Sequence, residues 1–96
     1  MNSWPFDQSP NTAAITTRQI IDEKKTVLVV VHYADDHSWG FLCGTTNYEK
    51  DGRVITMRSA IALDESLLTI ADLPPGWKAQ RPSRGEPWKK TKEEIL

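Results

Sequence analysis

The sequence has a single cysteine, Cys43, and therefore cannot form an intrachain disulfide. A chain without disulfides fits a reducing compartment. Its longest strictly aliphatic run, residues 27–31, is far too short to cross a bilayer. Residues 1–7 lack the charged segment and the apolar run of a secretory signal. We therefore predict a cytoplasmic protein with no membrane partner.

The sequence also lacks an excess of charge of either sign. Its 12 basic and 13 acidic residues give a formal net charge of -1, so the whole chain has no general attraction for a polyion. Six of the basic residues nevertheless fall in residues 77–92, where Glu86 is the only acid. We interpret this segment as solvated loops and a tail, and a nucleic-acid-binding surface is the less favoured alternative.

A chain of 96 residues is long enough for one domain with its own core. Residues 1–14 carry two prolines and no periodicity, and are predicted to form an irregular lead-in from which Trp4 and Phe6 can still pack against the domain. Residues 15–90 form the predicted domain, and residues 91–96 form a charged tail.

A first helix is predicted after the lead-in. Thr16 and Gln19 have the spacing of a capping box, and Ile15 and Ile20 have that of a hydrophobic staple. A short helix ending near Lys24 follows from this pattern.

A group of strands is predicted next. Residues 26–33 are rich in β-branched side chains and suit a strand covered on both faces. A polar turn at residues 34–38 leads to a second strand at 39–43, in which Gly40 lets a neighbour approach closely. Residues 53–58 have the composition of a third strand.

A capped helix and a tight turn follow. Asp64 can accept from the amides of the first helical turn, and Leu63 can close over Leu68. The Pro-Pro-Gly sequence at 74–76 ends the helix and suits a type II turn, so a further strand begins at Trp77. The complete pattern predicts an α+β fold in which a mainly antiparallel sheet of four or five strands packs against one or two short helices.

Two histidines and two aspartates within six residues could in principle bind a metal ion. They are His32, Asp35, Asp36 and His37. Imidazole and carboxylate groups are ligands for Zn²⁺, but the spacing matches no zinc motif, and paired aspartates are common in turns. We predict no metal and no cofactor, and a metal-dependent enzyme at these residues remains the third interpretation.

No catalytic arrangement stands out elsewhere in the sequence. Cys43 is in phase with Trp39 and Phe41, which favours a buried, inert thiol over a nucleophile. The sequence contains no glycine-rich phosphate loop, no nucleophile elbow and no metalloprotease helix. We therefore predict that the protein is not an enzyme.

Several motifs together resemble the bacterial immunity protein 33 family. They lie in residues 39–44, 63–68 and 72–81 and at Trp88, and the resemblance covers about residues 15–90. It rests on the aspartate-capped leucine helix, the Leu-Pro-Pro-Gly-Trp turn and the late Pro-Trp pair. The resemblance implies a small protein that binds and neutralises a cognate toxin of a polymorphic toxin system, with no catalytic residues.

We therefore predict a non-enzymatic binding protein of the immunity type. A protein toxin would be contacted by exposed turns, loops and strand positions. The candidate contact residues are Asp35, Asp36, His37, Tyr48, Glu49, Asp51, Lys78 and Arg81. The alternative is a nucleic-acid or regulatory binding module that uses the basic C-terminal segment, although the structural role of core anchor is favoured for Trp77 and Trp88.

Overall fold

In the computed structural model, which describes residues 4–44 and 48–92, six strands form one mixed sheet. Short helices cover one of its faces. The elements in chain order are β1 (Ala13–Thr17), α1 (Arg18–Asp22), β2 (Val29–His32), β3 (Trp39–Leu42), α2 (Tyr48–Asp51), β4 (Gly52–Thr56), α3 (Met57–Ala62), a 3-10 helix (Glu65–Ile70), β5 (Trp77–Gln80) and β6 (Lys89–Lys92). The predicted single-domain α+β fold is confirmed.

The strand order across the sheet is β4-β1-β3-β2-β5-β6. β1 runs parallel to β3, and every other neighbouring pair is antiparallel. The prediction of four or five strands is wrong, because β1 and β6 also belong to the sheet. β1 lies in the part of the chain interpreted as a lead-in and a helix start, and β6 lies in the basic C-terminal segment.

Tertiary pairing overrides the helix-start signal at Thr16. Residues Ala13–Thr17 pair along their whole length with β4, and Ile15 also faces Gly40 of β3. The Thr16 hydroxyl is buried and donates to the Phe41 carbonyl oxygen at 2.8 Å, so it is not available to cap a helix. The predicted capping box is therefore wrong, and the N-cap of α1 is Thr17, whose side chain makes no capping hydrogen bond.

The predicted hairpin of β2 and β3 is confirmed, with Val30 opposite Phe41 and His32 opposite Trp39. On the outer face of this hairpin the Tyr33 side chain lies over Gly40. A Cβ atom at position 40 would come within 3.0 Å of the Tyr33 hydroxyl oxygen, which is tighter than ordinary contact. The close approach predicted for Gly40 is therefore made by the side chain of Tyr33.

The hydrophobic core lies on the inner face of the sheet. Val30, Phe41 and Ala79 are opposite one another in three neighbouring strands and are fully buried. Buried side chains of α1, α3 and the 3-10 helix cover them. Phe6 joins this core from the N-terminal segment, with Trp4 packed beside it. Part of the predicted lead-in is therefore an integral part of the fold.

Two caps define the helices that follow β4. Thr56 accepts a hydrogen bond from the Ser59 amide at 3.1 Å, which ends the strand earlier than predicted and starts α3. Asp64 accepts from the Ser66 amide at 2.9 Å, so its predicted capping role is confirmed, although it begins a 3-10 helix. Leu63 and Leu68 remain 36% and 43% exposed, so the predicted staple does not bury them.

The predicted tight turn before Trp77 is present. Gly76 has a φ of 86°, and the Trp77 amide donates to the Pro74 carbonyl oxygen at 3.1 Å. The Gly76 amide also donates to the His32 carbonyl oxygen at 2.7 Å, which places β5 beside β2. No helix among the described residues is both long enough and apolar enough to span a membrane.

Candidate functional site

The turn between β2 and β3, residues 34–37, presents two carboxylates to solvent and is called the acidic turn below. Asp36 Oδ1 accepts hydrogen bonds from the Ser38 amide at 3.0 Å and from the Ser38 hydroxyl at 2.7 Å. Asp35 Oδ1 accepts from the Asp36 amide at 2.9 Å. Local hydrogen bonds therefore hold both carboxylates in place while they remain exposed.

His37 closes the acidic turn in a left-handed conformation, with a φ of 60°. Its amide donates to the Tyr33 carbonyl oxygen at 3.0 Å, and the Tyr33 amide donates to the Ser38 carbonyl oxygen at 2.9 Å. From the N-terminal segment, Gln8 Nε2 donates to the His37 carbonyl oxygen at 2.9 Å. A left-handed residue other than glycine costs about 1 kcal/mol, and these bonds offset that cost.

The negative charge of the acidic turn is stabilised locally. Hydrogen bonds from the Ser38 hydroxyl and the Ser38 amide hold the pKa of the Asp36 carboxyl below its ordinary value. The side chain therefore stays ionised under mildly acidic conditions.

Two stacked rings, those of His32 and Trp39, lie at the ends of β2 and β3 next to the acidic turn. His32 is 2% exposed and stacks on Trp39 with 4.0 Å between ring centroids. Its Nδ1 lies 2.6 Å from the Leu73 carbonyl oxygen, and because a carbonyl can only accept, Nδ1 carries the proton. On the other side, Trp39 Nε1 donates to Asp7 Oδ1 at 2.9 Å. The end of the hairpin is thus fixed by the N-terminal segment and by the chain after the 3-10 helix.

The second ring nitrogen of His32 faces the same aspartate. His32 Nε2 lies 3.1 Å from Asp7 Oδ2, which is an ion-pair distance, but the contact does not have hydrogen-bond geometry. The contact is therefore a close approach and not a hydrogen bond. The Nδ1 bond and the Trp39 stacking are the interactions that hold the ring in place.

Arg81 has a structural role at the opposite end of the sheet. Its side chain is 1% exposed, and one terminal nitrogen lies 2.6 Å from Asp64 Oδ2 and 3.0 Å from the Val27 carbonyl oxygen. The other terminal nitrogen donates to the Ser66 hydroxyl at 3.0 Å, and the guanidinium carbon lies 4.1 Å from the Trp88 ring centroid. The prediction that Arg81 is exposed for partner contact is therefore wrong.

Burial and hydrogen bonding act in opposite directions on Asp64. Burial disfavours its charged form, but hydrogen bonds from Arg81 and from the Ser66 amide outweigh that effect and hold the pKa of the Asp64 carboxyl below its ordinary value. The Asp64 carboxyl is therefore ionised at neutral pH.

A pH dependence of stability follows from the lowered pKa of Asp64. A group with a lowered folded-state pKa stabilises the fold above its unfolded pKa, about 4, and loses that contribution as the pH falls through the folded-state value. We expect the difference in unfolding free energy between wild type and Asp64→Asn to be largest between pH 5 and 7 and to shrink below about pH 4. Urea unfolding across this range measures it, and a difference independent of pH would contradict it.

The remaining predicted contact residues are not gathered at the acidic turn. Asp51 lies at the opposite end of the sheet, where its carboxylate accepts from Gln19 Nε2 at 2.7 Å and from Arg18 Nε at 3.4 Å. Lys78 is half-buried on the outer face, between Val31 and Thr91. The side chains of Tyr48 and Glu49 lie outside the described residues. The structure therefore brings together Asp35, Asp36 and His37 alone among the described candidates.

The possible metal ligands do not converge on one point, although the rings of His32 and His37 have centroids 6.0 Å apart. His32 is buried on the inner face, whereas Asp35, Asp36 and His37 are exposed in the acidic turn. In residues 4–44 and 48–92, no group of three or more His, Cys, Asp or Glu side chains is placed to hold a metal ion. The described part of the chain therefore provides no ligand set for a metal-dependent enzyme at these residues.

The basic C-terminal segment is divided between several environments. Arg81 is buried, and Lys90 Nζ lies 2.7 Å from Asp72 Oδ1. Trp77 and Trp88 both pack against the core. The exposed lysines of β6 line an edge of the sheet, where charged side chains commonly prevent pairing with another chain.

Sequence reasoning missed the contribution of Asp7 and Gln8 to the acidic turn. They lie in a segment without periodicity, so no pattern indicated a contact with β3. The available signal was the pair of aromatic residues, Trp4 and Phe6, in an otherwise polar segment, since large apolar side chains favour burial. Because Phe6 is buried in the core, Asp7 and Gln8 lie close to the hairpin of β2 and β3.

No protein-family model, no curated protein and no solved structure matches this chain.

Proposed function

We propose that this chain is a non-enzymatic bacterial binding protein of the immunity type, which neutralises a cognate protein toxin by binding it through the acidic turn. The observation that supports this proposal is the fixed geometry of Asp35 and Asp36, which are exposed but held by hydrogen bonds. The resemblance of residues 39–44, 63–68 and 72–81 and of Trp88 to an immunity family supplies the class of partner.

Rigidity and charge both favour a role in protein recognition. A surface that is already ordered loses little conformational entropy on binding, so more of its contact energy appears as affinity. Two neighbouring carboxylates also attract a basic surface and raise the rate of productive encounter. We therefore infer that the toxin presents a basic face to the acidic turn.

Co-expression with the toxin encoded beside the gene tests this function. We expect wild-type protein to restore growth and to form a complex with the toxin that can be isolated. Absence of both protection and a complex would refute the immunity function. A complex that forms without protection would show binding but refute neutralisation.

The contact surface is tested by the double variant Asp35→Asn/Asp36→Asn. Asparagine keeps the side-chain oxygens that accept hydrogen bonds within the turn, so the shape is preserved while both charges are lost. We expect affinity for the toxin to fall about 10- to 100-fold, with a weaker dependence on salt. Calorimetry or surface plasmon resonance measures both quantities.

A matched control removes two negative charges elsewhere. Glu65 and Glu86 are exposed and lie outside the acidic turn. The variant Glu65→Gln/Glu86→Gln has the same net charge as the test variant, and we expect it to bind the toxin like the wild type. Equal weakening by the two variants would show that overall charge, not the acidic turn, governs binding.

A further inference from the structure

A cavity of about 230 Å³ lies at the end of the sheet opposite the acidic turn. Ile20 of α1 and Val27, which precedes β2, are buried residues of its wall. Leu63, between α3 and the 3-10 helix, also lines it and is 36% exposed. One part of the cavity is therefore apolar.

Basic residues from two distant parts of the sequence line the same cavity. Lys24 and Lys25 follow α1, whereas Arg84 belongs to the loop between β5 and β6, and Thr26 adds a hydroxyl group. Among the described residues, no carboxylate lies within 4.0 Å of the ammonium group of either lysine. Arg84 has only a long contact, with its Nε 3.9 Å from Asp64 Oδ2.

The acidic residue of the lining, Asp64, is already paired. Its Oδ2 lies 2.6 Å from a terminal nitrogen of buried Arg81, and its Oδ1 accepts from the Ser66 amide at 2.9 Å. Arg81 thus compensates the carboxylate from outside the lining. The three basic groups of the cavity are left with a net positive charge.

The backbone fixes the position of the two lysines. Lys24 has a φ of 57°, and this left-handed turn brings the Lys25 amide to within 3.1 Å of the Gln19 carbonyl oxygen, which also accepts from the Glu23 amide at 3.1 Å. The carboxyl end of a helix favours a nearby cation, which accounts for a lysine there. It does not account for the presence of Arg84 at the same cavity.

We propose that this cavity binds a small organic anion, with its carboxylate or phosphate group held by Lys24, Lys25 and Arg84 and its apolar part against Ile20 and Val27. The volume is below the range of about 300–1,000 Å³ typical of drug-sized ligands, so the ligand is small. Basic side chains that converge on one oxyanion form charge-assisted hydrogen bonds, which are stronger than neutral ones. This site is independent of the acidic turn and of the toxin.

The test is a titration of the ¹⁵N-labelled full chain, followed by amide chemical shifts at constant ionic strength. The probes are hexanoate, hexyl phosphate and inorganic phosphate, with hexanamide as the uncharged match for hexanoate. We expect saturable shifts at residues 24–27 and at Arg84 with hexanoate or hexyl phosphate and none with hexanamide. The organic anion that binds more tightly identifies the preferred head group. Weaker binding of inorganic phosphate than of hexyl phosphate would support a role for the apolar wall.

Variants that each remove one positive charge locate the site. Lys25→Gln and Arg84→Gln should each weaken binding of the tighter-binding organic anion about tenfold. Lys24→Gln repeats the test at a third position. Lys89→Gln removes an exposed charge on β6, outside the cavity, and should leave binding unchanged. The variant Asp35→Asn/Asp36→Asn should also bind the anion normally, which separates this proposal from the immunity function.

Three results would overturn the proposal. One is the absence of saturable shifts with both organic anions. The second is equal binding of hexanamide and hexanoate, which would show that only apolar contact operates. The third is equal weakening by Lys89→Gln and by the cavity variants, which would show nonspecific attraction to a basic surface.

Discussion

Replacement of Arg81 by methionine should lower the free energy of unfolding by about 3–5 kcal/mol, because it leaves the Asp64 carboxylate buried without its counter-ion. Arg81 also donates to the Val27 carbonyl oxygen and to the Ser66 hydroxyl, and it lies against the Trp88 ring. Methionine preserves much of the apolar volume, so the loss reports mainly on charge and hydrogen bonding. Urea unfolding followed by circular dichroism at pH 7 measures the change.

Arg84 provides the matched control for this experiment. It is an arginine near the same carboxylate, but its side chain is 63% exposed and its Nε is 3.9 Å from Asp64 Oδ2. Exposed ion pairs contribute little, so Arg84→Met should change the unfolding free energy by less than about 0.5 kcal/mol. A loss below about 1 kcal/mol for Arg81→Met would contradict the structural role of the buried pair.

A double variant separates the uncompensated charge from the other losses. Asparagine at position 64 keeps an oxygen that can accept from the Ser66 amide but carries no charge. Asp64→Asn/Arg81→Met should therefore be about 1–3 kcal/mol more stable than Arg81→Met alone. Equal stability of the two variants would show that the lost hydrogen bonds of Arg81 account for the whole effect.

Replacement of Phe6 by alanine should destabilise the fold by about 3–5 kcal/mol, the usual cost of removing a buried aromatic ring. Phe6 is 6% exposed and meets the Trp39 ring edge-on at a centroid distance of 5.0 Å. The loss would show that the N-terminal segment belongs to the cooperative unit. Urea unfolding should be followed by circular dichroism and not by tryptophan fluorescence, because the substitution also alters the surroundings of Trp39.

The neighbouring proline serves as the control for Phe6. Pro5 is exposed, so Pro5→Ala should change the unfolding free energy by less than about 0.5 kcal/mol. If Phe6→Ala has an equally small effect, the segment packs against the sheet without contributing to its stability.

Local stereochemistry explains which parts of the fold could be predicted from the sequence. The Asp64 cap, the turn at Gly76 and the hairpin of β2 and β3 each depend on a few adjacent residues, and all three are present. Thr16 shows where such reasoning fails, because its capping signal competes with pairing to strands that lie far away in the sequence. A single sequence does not reveal that competition.

The candidate sites also differ in whether they depend on adjacent residues or on residues that lie far apart in the sequence. The acidic turn was predictable because Asp35 and Asp36 are typical turn residues between two recognisable strands. The burial of Arg81 was not, since its partner Asp64 was assigned only a capping role. The basic cavity was missed for a similar reason: Lys24 and Arg84 are far apart in the sequence and meet only through the packing of α1 against the chain after β5.

The position of β1 has a consequence for the order of folding. β1 lies between β3 and β4, both of which follow it in the chain, whereas β2 and β3 are joined by a short turn. Closing a short loop costs less entropy than closing a long one, so the hairpin of β2 and β3 is the favoured first structure. On a ribosome, β1 is made before either of its partners, can pair with β3 once that strand is complete at Leu42, and gains β4 only when the chain has been made through Thr56. Of the six strands of this sheet, β1 is thus made first but gains its second neighbour only after β2 and β3 have been completed.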